Sequence, residues 1–220
     1  MKDFDELIAS GNCMLNSGDF EGAKRTFYST FSIASEDQLS IAQHYCAVSL
    51  QLNGELRLAE RLFRKAIKGA EDVVQAAKIK RNLGACLVNR AMADCDISLL
   101  DEAEKLFISS RNELSFFGQD IESAVSDGFV GRVQFLTGRK HEAEAIMVKT
   151  YYAIAGRNCT YELDNLIWLA RVSFGHRWRY ATRAFELMNT IPAKQRRLEY
   201  IVILVGGDLL YRRIFASKGV

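Results

Sequence analysis

Proline is nearly absent from this sequence, which has one proline and fifteen glycines among its 220 residues. Proline punctuates turn-rich folds and interrupts helices, so its scarcity favours long, uninterrupted helices. Apolar residues make up 49% of the chain, which is enough for a sizeable buried core. The composition therefore predicts an all-α protein.

Paired cysteines and long apolar runs are also missing. The five cysteines lie far apart and include no Cys-x-x-Cys pair, which argues against a disulfide framework and a zinc knuckle and favours a reducing compartment. No stretch reaches the ~18 uncharged apolar residues of a membrane span, and the N-terminus lacks the basic-then-apolar pattern of a signal peptide. We therefore expect a cytoplasmic protein that does not enter a membrane.

The motifs of common enzyme classes are lacking as well. The sequence contains no P-loop, no GxGxxG, no GxSxG and no HExxH. The three histidines, at positions 44, 141 and 176, are isolated from one another, and isolated histidines are more often structural than catalytic. We therefore expect no enzymatic activity, no cofactor and no metal.

What the sequence does contain is a repeated pattern. A small residue is followed by a glycine seven residues later, an alanine five beyond it, and an aromatic residue or methionine four beyond that. Three copies keep these offsets: Gly11, Gly18, Ala23 and Phe27; Ala47, Gly54, Ala59 and Phe63; Gly131, Gly138, Ala143 and Met147. Two more fit with insertions of seven residues and one residue: Gly84, Ala103 and Phe107; Trp168, Gly175, Ala181 and Phe185.

The pattern is typical of a stacked pair of helices. A small residue within the first helix lets the second helix approach closely, and the glycine supplies a left-handed turn after the first helix. The alanine then lies where the two backbones come nearest, and the aromatic residue one turn later fills the space beside it. We therefore expect Ala181 and Phe185 to lie in the core. Cys13 and Cys86 hold equivalent positions beside the close contact, so we expect both to be buried as well.

The stretches GNCMLNSGDFEGAKRTF, AVSLQLNGELRLAERLF and GRVQFLTGRKHEAEAIM resemble tetratricopeptide repeats (TPRs), and the resemblance extends over roughly residues 4 to 190. It implies a right-handed α-α superhelix of about five helical hairpins. The expected array is 1–192, with hairpins at 4–36, 37–70, 71–117, 118–156 and 159–191, followed by a capping helix and tail at 193–220. The copy at Gly84, Ala103 and Phe107, which falls in the third hairpin, lacks its turn glycine. Its seven extra residues should lengthen its helices by about two turns.

The resemblance also implies a function. In this family the first helix of each hairpin lines a concave surface, which would take up a peptide or a helix of a partner protein. An asparagine side chain both donates and accepts hydrogen bonds, so it can pair with an extended backbone, and a cation could meet a carboxylate. Lys78 and Arg81 could instead pair with acidic residues nearby. The expected inward residues are Asn12, Asn16, His44, Gln51, Lys78, Arg81, Asn82, Asn89, Arg132, Phe135 and Asn165.

Two alternative functions stay open from the sequence. The repeat spacing resembles the longer-helix branch of the family, which implies a peptide-sensing regulatory domain of a bacterial regulator. The charge is also uneven: residues 171–220 hold ten Lys or Arg against three Asp or Glu. Arg177, Arg179 and Arg183 could form a patch for an acidic partner or for RNA, although such a charge run is more often a solvated surface.

Overall fold

The computed structural model describes residues 3–173 and 175–190. Over these ranges the chain is an all-α solenoid of ten helices, and the sequence-based prediction of the fold is confirmed. The helices run in this order: α1 Phe4–Ser17, α2 Phe20–Thr30, α3 Glu36–Leu52, α4 Leu56–Gly69, α5 Val73–Asp94, α6 Leu99–Phe116, α7 Asp120–Leu136, α8 Lys140–Ile154, α9 Cys159–Val172 and α10 Arg177–Met188. The predicted capping helix and tail at 193–220 lie outside the described residues.

The helix ends follow from local chemistry. Asp3 and Ser35 form capping boxes at the starts of α1 and α3, and Asp72 accepts hydrogen bonds from the first backbone N–H groups of α5. Gly18 ends α1 in the left-handed conformation that glycine adopts without steric cost. In the third hairpin, Cys95 follows the first helix with φ +55°. A cysteine thus adopts the left-handed conformation that glycine adopts at the end of α1. The third hairpin also has the longest helices, as the seven extra residues predict.

The core is built around the repeated small residues. Phe27, Phe63, Phe107 and Met147 are all fully buried. A Cβ atom added to Gly84 would lie 2.6 Å from the Phe107 ring, so this ring occupies the space that a side chain at position 84 would need. The small residues of the pattern therefore allow the two helices of a hairpin to pack with an aromatic side chain between them.

The fifth hairpin departs from the predicted register. Ala181 is only partly buried and Phe185 is 56% exposed, whereas Ala184 and Met188 are buried. The prediction that Ala181 and Phe185 lie in the core is wrong. The second-helix core position is Ala184, three residues later than expected. The face of α10 that packs on α9 is the one that carries Ala184 and Met188, which contact a buried cluster of Leu163, Leu166 and Ile167.

The expectation for the cysteines is half wrong. Cys86 is buried, and its thiol donates a hydrogen bond to the carbonyl of Leu56 in the preceding hairpin (Sγ to O, 3.3 Å). Cys13 is exposed, because no described hairpin precedes α1 and covers that face. The positions equivalent to Cys13 in the second and fourth hairpins, Ser49 and Val133, are also fully buried.

Thiol labelling checks this assignment. In the native protein, a thiol-specific alkylating reagent should modify the exposed cysteines Cys13, Cys95 and Cys159. Cys46 and Cys86 should react at least about 100-fold more slowly than the exposed cysteines. Burial raises the pKa of each thiol to about 12 and so removes the reactive thiolate. Mass spectrometry of the native and the urea-unfolded protein would count the modified sites. Rapid native modification of Cys86 would show that the second and third hairpins do not pack as described.

Candidate functional site

The first helices of the hairpins form one continuous surface. α1, α3, α5 and α7 each contact the first helix of the next hairpin, while second helices of successive hairpins contact one another less. In a curved stack, the elements that approach most closely lie on the inner side of the curve. The inner surface is therefore lined by the first helices, where the sequence analysis expects the partner-binding residues.

Four amide side chains lie towards the C-terminal ends of the first three of these helices. We call them the amide row: Asn12 and Asn16 in α1, Gln51 in α3 and Asn89 in α5. Asn16 is exposed and the other three are partly buried. No other residue within 3–173 and 175–190 hydrogen-bonds to any of these four side chains. Their donors and acceptors are thus available to a ligand.

His44 and Asn82 form a second group between the second and third hairpins. Nε2 of His44 lies 2.8 Å from Nδ2 of Asn82, and Nδ1 lies 3.2 Å from Nε2 of Gln75. Burial, together with the positive charges of Arg81 and Lys78, lowers the pKa of His44 to about 4. The imidazole is therefore neutral at pH 7, with one donor and one acceptor nitrogen, so one of the two amides must present its oxygen to the ring.

Arg81 connects three hairpins. It forms a salt bridge with Glu122 of α7 and donates a hydrogen bond to the Tyr161 hydroxyl of α9 (Nη2 to Oη, 3.3 Å). The guanidinium carbon also lies 5.6 Å from the centre of the Tyr161 ring. The Arg81 side chain is only 6% exposed, so its charge is used within the protein. We call these contacts of Arg81 with Glu122 and Tyr161 the Arg81 bridge. Glu122 lies near the N-terminal end of α7.

Arg132 is engaged in the same way one hairpin further on. It forms a salt bridge with Asp164 of α9, and its guanidinium carbon lies 4.0 Å from the ring centre of Phe129 and 5.4 Å from that of Trp168. Phe135 meets Trp168 edge to face, with ring centres 6.3 Å apart. Aromatic rings and guanidinium planes attract one another in this geometry. The fourth and fifth hairpins are thus joined by an aromatic-arginine cluster.

Asn165 is fully enclosed. It is 2% exposed, and its amide donates to the carbonyl of Met147 (Nδ2 to O, 2.9 Å). This side chain fixes α9 against α8, so we leave it out of the candidate surface.

Lys78 differs from the two paired arginines. It lies near the start of α5, is partly buried, and has no acidic partner among the described residues, although Glu71 and Asp72 lie nearby in the sequence. Together with the amide row it forms the candidate site. Lys78 and Asn89 are eleven residues apart on one helix, which corresponds to about 16 Å along its axis.

Comparison with known proteins agrees with this architecture. No family model matches the sequence, and no curated protein matches it. A putative kinesin light chain of P. anserina with nearly identical TPR-like repeats superposes with a TM-score of 0.56 at 13% identity, covering 98% of this chain and 99% of that one. This chain has the TPR fold.

Two further solved structures have a similar fold. BtubC (BKLC) from P. vanneervenii superposes with a TM-score of 0.62 at 13% identity, over 84% of this chain and 81% of that one. PilF of Pseudomonas aeruginosa gives a TM-score of 0.59 at 19% identity, over 97% and 87%. TPR folds generally form scaffolds for protein interactions.

The predicted basic patch of this TPR chain is partly used internally. Nε of Arg177 donates to the carbonyl of Ala170 (3.1 Å), and Arg183 lies 3.6 Å from a carboxylate oxygen of the buried Glu162. Arg183 also pairs with Glu186. Arg179 is the one of the three for which the described residues provide no partner. The charge available to an acidic ligand is therefore smaller than the sequence suggests.

The described residues also offer few reactive groups. Within 3–173 and 175–190, no cluster of three or more His, Cys, Asp or Glu side chains could hold a metal ion. His141 and His176 are exposed and lie in different hairpins from each other and from His44. Among the described helices, none is both long and apolar enough to cross a membrane.

Sequence reasoning missed the acids that pair with the inner arginines. Glu122 and Asp164 lie 41 and 32 residues from their partners. These separations are close to the repeat length, so the signal that could have found them is an acid about one repeat after each inward arginine. Tyr161, which is 80 residues from Arg81, had no comparable signal.

Proposed function

We propose that this chain is a non-catalytic interaction module that holds an extended peptide segment of a partner protein against the inner surface of its first three hairpins. The observation that carries the proposal is the combination of the amide row with Lys78. These five side chains point to a ligand because nothing else in the described part of the chain uses them. The TPR fold supports a role in protein interactions in general.

The chemistry of the surface suits a peptide backbone. Each amide can donate to a carbonyl and accept from an N–H group, whatever the side chains of the ligand are. The ~16 Å from Asn89 to Lys78 matches about five residues of extended chain. A peptide that contacts both Asn89 and Lys78 would place a carboxylate against the Lys78 ammonium. That carboxylate could belong to Asp, Glu or the C-terminus of the peptide.

The paired cations have a different role in this proposal. Arg81 and Arg132 are neutralised by Glu122 and Asp164, so removing either arginine would leave a carboxylate without its partner. Their contribution is to fix the curvature of the inner surface rather than to bind the ligand. Lys78 is therefore the better residue for a binding test.

Reversing the charge at Lys78 tests the proposal. Peptides selected from a random-peptide library on the wild-type chain should bind Lys78→Glu about 10-fold or more weakly, because a charge-assisted hydrogen bond is lost and repulsion replaces it. Lys105→Glu is the matched control: Lys105 is exposed on the outer helix α6, and its reversal should leave the affinity unchanged. Isothermal titration calorimetry would measure both, with circular dichroism to confirm the fold.

Two results would contradict the proposal. One is a set of selected peptides that bind Lys78→Glu and an Asn16→Ala/Asn89→Ala double variant as tightly as the wild type. The other is preferential binding of RNA, with an affinity that falls steeply as salt is added because counterions are released from phosphates. Groove binding of a peptide with one acidic group depends only weakly on salt.

A further inference from the structure

The exposed surface of the outer helix α4 carries charge of one sign only. The exposed residues of this helix are Arg57, Leu58, Arg61, Lys65, Lys68 and Gly69. No carboxylate is among them, although the other second helices within 3–173 and 175–190 each expose at least one. Those exposed acids include Glu21 in α2, Asp101 in α6, Glu142 in α8 and Glu186 in α10.

The four exposed cations of α4 lie on one side of the helix. We call Arg57, Arg61, Lys65 and Lys68 the α4 stripe. They are four, four and three residues apart, so at about 100° per residue they fall within an arc of about 80°. The stripe is about 16 Å long, with neighbouring positions about 4.5–6 Å apart along the axis. It therefore forms a straight row of positive charge.

Most of this charge is not used inside the protein. Arg57 lies 3.5 Å from Asp94, but its side chain is 77% exposed. In the described part of the chain, no acidic side chain pairs with Arg61, Lys65 or Lys68. Like charges four residues apart on a helix repel one another, so an anion bound along the stripe would relieve this repulsion.

We propose that the α4 stripe binds an acidic segment of a partner protein. The stripe lies on a second helix, whereas the amide row and Lys78 lie on first helices, so this surface is separate from the inner surface. Arginine and lysine at these spacings can each meet a carboxylate of one chain that runs along α4. The site thus adds a second contact for a partner to the inner one.

The neighbours of the stripe favour a single narrow chain as its ligand. The positions equivalent to Arg57 in the two adjacent second helices are Glu21 and Asp101. Equivalent positions of stacked repeats lie side by side, so these carboxylates flank the stripe. A nucleic-acid duplex or a flat anionic membrane is wider than one helix and would also face the flanking acids, which repel it. A chain laid along α4 avoids them.

Leu58 favours a peptide over a single strand of nucleic acid. It is 40% exposed and lies seven residues before Lys65, two turns away on the same side of α4. It therefore offers an apolar contact beside the cations. α4 exposes no aromatic side chain on which a base could stack. A segment rich in Asp or Glu that also carries an apolar residue would use both features.

Charge reversal in the full chain tests the proposal, with a short fluorescein-labelled peptide of repeated Glu-Glu-Leu as the probe. Arg61→Glu/Lys65→Glu should bind this peptide about 10-fold or more weakly than the wild type, because two attractions become repulsions. Lys149→Glu/Arg157→Glu is the matched control, since it changes the net charge equally at exposed positions. These positions lie two hairpins from the stripe, where about 0.1 M salt screens their effect, so the affinity should stay within about 2-fold.

Three comparisons complete the test, all by fluorescence anisotropy with circular dichroism to confirm the fold. The wild type should bind the peptide more tightly than oligothymidylate or vesicles that contain phosphatidylserine. Lys78→Glu should keep the wild-type affinity for this peptide, because Lys78 belongs to the inner surface. Failure of the α4 stripe to bind would therefore leave the inner site standing, and the reverse also holds.

Four results would overturn the inference. One is a wild type that does not bind the peptide, which would make the stripe a solvated surface. Another is equal weakening by Lys149→Glu/Arg157→Glu, which would mean that net charge alone acts. A loss confined to Lys78→Glu would place the peptide on the inner surface. Tighter binding of oligothymidylate or of the vesicles would assign the stripe to nucleic acid or membrane. The wild-type measurements decide the first and last cases even if a variant does not fold.

Discussion

Replacing Phe107 by alanine is expected to lower the free energy of unfolding by about 3–5 kcal/mol, which is the usual cost of emptying a fully buried phenylalanine site. Phe107 is 0% exposed and fills the space beside Gly84 between α5 and α6. Its ring also stacks on Phe129 of the next hairpin, with centres 5.0 Å apart. The change therefore weakens the hairpin and its junction with the following one together.

Phe116 provides a matched control on the same helix. It is 85% exposed and contacts Phe117 at the end of α6. Phe116→Ala should change the free energy of unfolding by no more than about 0.5 kcal/mol, as surface substitutions usually do. Urea denaturation followed by circular dichroism would measure both variants. Equal effects of the two substitutions would show that the small-residue pattern does not define the core.

The second large effect is expected at His44. The stability of the wild type should fall by about 2 kcal/mol between pH 7.5 and pH 5, because the pKa of His44 is about 4 in the folded chain and close to 6.5 in the unfolded chain. In this interval the unfolded state binds more protons than the folded state. Stability is therefore fully present above pH 6.5 and is lost as the pH falls towards 4.

Two substitutions separate this effect from other titrations. His44→Gln removes the titrating group, so the decline between pH 7.5 and pH 5 should largely disappear even if the variant is less stable overall. His141→Gln changes an exposed histidine and should keep the decline. Urea midpoints at a series of pH values give the comparison. A His44→Gln variant with the wild-type pH dependence would mean that His44 is not held neutral by its surroundings.

Much of the fold could be predicted from the sequence because its signals are local. Gly18, Gly54 and Gly138 mark where first helices end, and all three take positive φ. The offsets between small residues and Phe27, Phe63 and Phe107 reflect contacts within one hairpin, and those contacts recur without knowledge of the rest of the chain. Local spacing alone therefore predicts where these first helices end.

The remaining features depend on neighbours that spacing does not reveal. Cys13 and Cys86 have the same local pattern, yet only Cys86 has a preceding hairpin to cover it. Phe185 fits the pattern if one residue is inserted, but α10 packs on α9 through Ala184 and Met188 instead. Of the predicted inward cations, Arg81 and Arg132 have acidic partners in the next hairpin, and spacing alone does not reveal which cations are paired within the protein.

The Arg81 bridge also determines where this solenoid can stretch. A stack of hairpins becomes longer when gaps open between successive hairpins on its inner side. Pulling the third and fifth hairpins apart requires breaking the contact between Arg81 and Tyr161, which spans two such gaps. Among the described residues no similar tie joins the first hairpin to the third. We therefore expect the solenoid to extend more easily at its N-terminal end, beside Asn12, Asn16 and Gln51, than between the third and fifth hairpins.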